Sequence, residues 1–133
     1  MIRFTRSVFV LLLTASAMVS TPGYASSGLS GYWQHESEPV WIEMQPDMGK
    51  GVMLRNDNRP DRVGFLLVTD LVASGEPSEW SAQVFAAQLG EYRNATITLE
   101  SDDLMAFTVK VGFIRRTVEW SRVKEVPPAS DDE

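Results

Sequence analysis

The chain has 133 residues, a formal charge of −6, 44% hydrophobic residues and no cysteine. That length suits one small domain, and the acidic balance argues against nucleic acid or anionic lipid as a non-specific partner. Without cysteine there is no disulfide, thiol nucleophile, thiolate metal site or lipid-modified cysteine, so packing alone must stabilise the fold.

The first element in chain order reads as a secretory signal over residues 1–25. Arg3 and Arg6 supply positive charge, Val8 to Val19 is an uncharged apolar run, and Gly23-Tyr24-Ala25 is a small-x-small cleavage site. The run falls short of the ~20 residues a membrane helix needs, so cleavage near Ala25 is expected, with no membrane anchor. The product is then soluble, in a bacterial periplasm or secreted. Losing Arg3 and Arg6 takes the formal charge from −6 to −8.

Residues 26–30 form a small, polar, mobile lead-in. Gly31-Tyr32-Trp33 opens the domain. Val40, Ile42 and Met44 then alternate with Trp41 and Glu43 as in a strand, and Gln45 to Gly49 is turn material. Val52 and Leu54 continue the pattern up to the turn Asn56 to Asp61. Val63 to Val72 is almost wholly apolar, which predicts a strand covered on both faces. Trp80 to Leu89 fits a helix capped by Ser78 and stopped by Gly90, but Ala82, Val84 and Ala86 fit a strand equally. A strand or irregular segment is expected, because flanking strands override weak helical propensity.

The clearest pattern runs from Ala95 to Arg122. Ala95, Ile97 and Leu99 share a face, Ser101-Asp102-Asp103 turns the chain, and Met105, Phe107, Val109 and Val111 share the next face until Gly112. Arg116, Val118, Trp120 and Arg122 then share a third. Residues 124–133, with two prolines and an acidic end, read as a disordered tail. The domain is therefore residues 31–123, all-β, an antiparallel up-and-down barrel of about eight strands. Closure removes exposed edges. The interior of such a barrel is filled by side chains or holds one small ligand, and Met44, Phe65, Leu67, Phe107, Val109 and Trp120 are expected to line it.

In these residues the chain resembles a bacterial family of small exported proteins of unknown function that look like lipocalin-type barrels. The resemblance rests on Gly31-Tyr32-Trp33, on Trp80, Gly90 and Tyr92, and on Gly112-Phe113, Arg116-Thr117, Trp120 and Ser121-Arg122. It departs at Arg115, where a small residue is usual, and at Ala86-Ala87, where an Asp-Pro turn is usual. What the resemblance implies is the lipocalin-like fold, with no established reaction. It also implies a barrel closed at one end by Arg122 laid across Trp33, a stack worth about 0.5 to 2 kcal/mol.

Few residues carry a signal for chemistry. His35 is the sole histidine and has no nucleophile motif beside it, so a capping or exposed role is expected. Glu36, Glu38 and Glu43 could do acid and base work only from an apolar pocket, and alternation puts Glu43 outside. Asn56, Asp57, Asn58 and Asp61 lack calcium-loop spacing and read as a turn. Asn94-Ala95-Thr96 matches a glycosylation acceptor, relevant only in a host that modifies such sites. No catalytic residue, metal ligand or cofactor is expected.

The sharper hypothesis concerns Arg116, which shares a face with Trp120. Pointing inward, it would pair with the carboxylate of a small amphipathic ligand whose chain lies on Phe107, Trp120 and Met105. Two functions follow: a barrel that binds a small hydrophobic or amphipathic ligand, or a filled barrel that serves as a structural or protein-interaction module of the cell envelope. A catalytic function ranks below both.

Overall fold

The structure, a computed structural model, describes residues 28–128. The expected signal, the first part of the lead-in and residues 129–133 of the tail lie outside the described residues. Eight strands follow in chain order: β1 (Gly31–His35), β2 (Val40–Gln45), β3 (Lys50–Asn56), β4 (Leu66–Ala73), β5 (Glu79–Ala86), β6 (Glu91–Ser101), β7 (Leu104–Val111) and β8 (Ile114–Val123). Each pairs antiparallel with the next, and β8 returns to β1 to close the barrel. The seam sets Trp33 opposite Arg122 and His35 opposite Trp120.

The pairing of the last three strands follows from their period of two. Ala95, Ile97 and Leu99 face Val109, Phe107 and Met105, which in turn face Arg116, Val118 and Trp120. This register points Ile97, Met105, Phe107 and Trp120 inward, where all are buried. Their neighbours Thr96, Thr98, Thr108 and Thr117 point outward. A polar exterior around an apolar interior is the reverse of a lipid-facing barrel wall.

The segment after Trp80 is a strand. β5 pairs with β6 from Glu79 opposite Thr98 to Ala86 opposite Glu91, and burial alternates with Trp80, Ala82 and Val84 inside. Strands on both sides satisfy its backbone and override the helical preference of Ala and Gln.

β4 differs from the sequence expectation. It begins only at Leu66, because a 3-10 turn at Pro60–Arg62 and a left-handed Gly64 hold residues 63–65 in the preceding loop. Nor is it covered on both faces: Val68 and Leu71 are buried, while Leu66 and Val72 are exposed. Asp70 adopts φ of 53° where the pairing with β5 shifts between Thr69 and Val72. This bulge turns Leu71 into the core, and its N–H donates to the Gly49 carbonyl at 3.1 Å.

The core is continuous and filled with large side chains. Trp33, Ile42, Met44, Val68, Ile97 and Met105 have essentially no exposed surface. Phe107 and Trp120 pack with ring centroids 5.3 Å apart. Phe65, Leu67 and Val109, expected to line the interior, are partly buried at its margin. Gly51 makes room for two neighbours: a Cβ there would stand 2.8 Å from Met44 Sδ and 3.1 Å from Val68 Cβ.

Candidate functional site

An up-and-down barrel has two ends, and here they differ. One end carries the chain entry, the β2–β3, β4–β5 and β6–β7 turns and the exit of β8. It is shut by Leu29, Trp33 and Arg122. Trp33 Nε1 donates to the Leu29 carbonyl at 2.9 Å, and both side chains are fully buried. The Arg122 guanidinium carbon stands 4.3 Å from the Trp33 ring centroid. Its Nε donates to Asp102 O at 2.6 Å, its Nη1 to Ser30 O at 2.8 Å, and its Nη2 to Gly28 O. One side chain thereby joins the chain entry, the β6–β7 turn and the last strand.

The opposite end carries the β1–β2, β3–β4, β5–β6 and β7–β8 turns. Arg116 belongs to the inward row of β8, opposite Val109, yet it is exposed and its Nη1 reaches Gln88 Oε1 at 3.4 Å. It therefore sits on the rim. Trp120 lies four residues deeper, about 13 Å along the strand, with half-buried Val118 between. Met105, Phe107 and Trp120 are core residues at 3% exposure or less, so the structure brings those three together and leaves Arg116 outside them.

His35 ends β1 and caps its own turn. Its Nδ1 accepts from the N–H of Ser37 at 3.0 Å and of Glu38 at 3.1 Å, and Nε2 faces Glu38 Oε2 at 3.5 Å. The ring meets Trp120 edge-on at 5.0 Å. Both nitrogens are thus committed to local structure.

The carboxylates separate in the same way. Glu36 accepts the Glu119 N–H, while the Glu36 N–H donates to Glu119 O at 3.0 Å, which extends the seam past β1. Partial burial, with Glu100 and Glu36 beside it, pushes the Glu119 carboxyl above the ordinary range. Glu43 accepts from Gln45 Nε2 at 2.9 Å. Asn56 Oδ1 accepts from the N–H of Asn58 and Arg59 at 3.1 and 2.9 Å, an Asx turn. Asp57 grips Arg55, and Asp61 grips Arg59, each through two hydrogen bonds that hold the carboxyl below its usual range. No three acidic or histidine side chains among the described residues converge on a metal position. Asn94 is exposed in mid-strand and accepts from Gln83 Nε2.

Two features were not foreseen from sequence. Trp41 points outward from β2 yet is only 8% exposed, with the Arg55 guanidinium 4.6 Å from its ring. Arg55 Nη1 also donates to the carbonyls of Pro127 and Pro128, both at 2.8 Å, so residues after β8 reach across to β3. An apolar depression of about 470 Å³ lies between them, lined by Leu54, Pro60, Val63, Val126 and Pro127. Second, Phe65, Phe85 and Tyr92 form an aromatic group beside the β3–β4 loop, with Phe65 4.8 Å from Phe85 and Tyr92 Oη donating to Leu66 O at 2.7 Å. A wider groove of about 560 Å³ crosses the outside of β5 to β8, lined by Glu79, Ser81, Thr96, Thr108, Lys110 and Arg115. Both depressions are on the exterior of the barrel.

In comparisons with known families, curated proteins and solved structures, no family model, curated protein or solved structure matches this chain.

Proposed function

We propose that this chain is an exported, non-catalytic barrel whose interior is structural and whose outer surface engages a partner in the cell envelope. The observation that carries this reading is the occupancy of the interior. Trp33, Trp80, Trp120, Phe107, Met44, Met53 and Met105 are each at most 4% exposed. An eight-strand barrel has room for side chains or for one small ligand, and here side chains take that room. A ligand held by Arg116 would have to displace Val118 and the Phe107–Trp120 pair to reach the depth the ligand hypothesis requires.

The sequence resemblance to small exported barrels and the apolar run at Val8 to Val19 support export. The test is native mass spectrometry of the protein isolated from its own host. The scaffold reading expects the mass of the processed chain, alone or with a protein partner; a stoichiometric small molecule retained in the gas phase contradicts it.

A further inference from the structure

At the rim opposite the Trp33–Arg122 closure, the β7–β8 hairpin ends in Gly112, Phe113 and Ile114. Phe113 is 106% exposed and Ile114 65% exposed, while all four tryptophans are at most 8% exposed. Leu89, 43% exposed, caps the neighbouring β5–β6 turn, and the hydrogen bond from Arg116 to Gln88 ties the two turns together. Three exposed apolar side chains are thus presented on two linked turns at the same end of the barrel.

Cations flank them. Lys110, Arg115 and Arg116 are all exposed, and none is in an ion pair among the described residues, unlike Arg55, Arg59 and Arg93. The rest of the chain is acidic. Beyond a Debye length of about 10 Å the net negative charge is screened, so a surface within that distance of the tip meets the local positive charge. The whole-chain charge that argues against non-specific lipid binding therefore does not govern this end.

We propose that the β7–β8 tip inserts Phe113 and Ile114 into the interfacial region of an anionic phospholipid bilayer, with Lys110, Arg115 and Arg116 on the headgroup phosphates. The inference rests on the scaffold reading and names the partner surface. Two considerations favour a bilayer over a protein. A stable protein interface needs roughly 800 Å² of complementary surface on each side, which a hairpin apex of three side chains does not offer, whereas an apolar apex ringed by cations suits a headgroup layer. The acidic body is also repelled by the same surface that attracts the tip, which selects one orientation.

The chain's four tryptophans are at most 8% exposed, so a Phe113→Trp variant adds one solvent-exposed indole to a buried background. The protein as processed by its host is mixed with vesicles of phosphatidylglycerol and phosphatidylcholine, and separately with phosphatidylcholine alone. The expected result is a blue shift of the added emission with the anionic vesicles only, lost at high salt. Co-sedimentation of the unsubstituted protein should fall at least tenfold with Phe113→Ser and with the pair Lys110→Glu and Arg115→Glu. An unshifted emission, equal binding to both vesicle types, undiminished binding of the charge-reversed variant, or capture of a protein through the tip in place of vesicles would each overturn the proposal. Failure of the underlying scaffold reading shows differently, as a small molecule retained by the unsubstituted protein in the absence of vesicles.

Discussion

The Arg122 guanidinium lies 4.3 Å from the centroid of the Trp33 ring, across the seam where the last strand meets the first. Because Trp33 is fully buried, the arginine covers the indole from the side that water would otherwise reach. Its three carbonyl partners then fix the chain entry at Gly28 and Ser30 and the β6–β7 turn at Asp102. Arg122→Ala is expected to lower stability by about 2–3 kcal/mol, combining the lost stack and charged hydrogen bonds. Arg122→Lys should recover only a small part, since an ammonium cannot hold three divergent carbonyls in a planar fork. Urea denaturation of the two variants checks the order.

Two of the interior indoles, Trp33 and Trp120, should respond differently to loss of their N–H. Trp33 Nε1 donates to Leu29 O, whereas Trp120 Nε1 is buried with no partner among the described residues. Trp33→Phe leaves a buried carbonyl unsatisfied; Trp120→Phe removes an unpaired donor. Trp33→Phe should therefore cost about 1–2 kcal/mol more than Trp120→Phe in the same denaturation experiment. Equal losses would mean that volume alone sets the cost at both sites.

Gly51 is held by packing. A methyl group there meets Met44 Sδ at 2.8 Å and Val68 Cβ at 3.1 Å, in the middle of the Met44–Gly51–Val68 row. Gly51→Ala should destabilise the barrel by about 1–3 kcal/mol through overpacking. Paired with Met44→Ala, which empties the space beside it, the substitution should be tolerated better than it is alone, and a double-mutant cycle measures that coupling.

Glu119 gives a pH dependence of defined sign. Its carboxyl is raised in the folded state by burial and by the charges of Glu100 and Glu36, so the stability tied to its protonated form is present in acid and is lost as pH rises through the folded value. Glu119→Gln should therefore raise the melting temperature at neutral pH, with the gain vanishing below the ordinary carboxylate range. Asp57 and Asp61, held low by Arg55 and Arg59, act oppositely and lose their contribution as pH falls. Melting curves of Asp57→Asn and Glu119→Gln across the acidic range separate the two effects.

The legibility of this fold in its sequence varied with how local the cause was. Strands β6 to β8 could be placed by inspection because Ile97, Met105, Phe107 and Trp120 obey a period of two with turns between. β4 was legible as a strand but not in its start or its faces, since its apolar residues are divided by a bulge at Asp70, after which the Leu71 N–H donates to the Gly49 carbonyl in a different turn. At the candidate site the period assigned Arg116 to the inward row but carried no information on height, and height puts it on the rim. Trp41 beneath Arg55 was invisible because its cover is a guanidinium held by the carbonyls of residues 127 and 128, more than 70 positions away in the chain. Phe113 stood in the sequence only as part of the Gly112-Phe113 resemblance; exposure at a hairpin apex is a property of the pairing.

Large side chains occupy the barrel interior, each of the three interior tryptophans at most 3% exposed. Trp33, Trp80 and Trp120 stand within that interior, so intrinsic tryptophan emission of the unsubstituted protein, titrated with a series of fatty acids, reads it directly. With the interior filled, no saturable change in intensity or wavelength is expected. A saturable one-to-one response, abolished by Arg116→Ala, would contradict it and return the interior to the role of a ligand site.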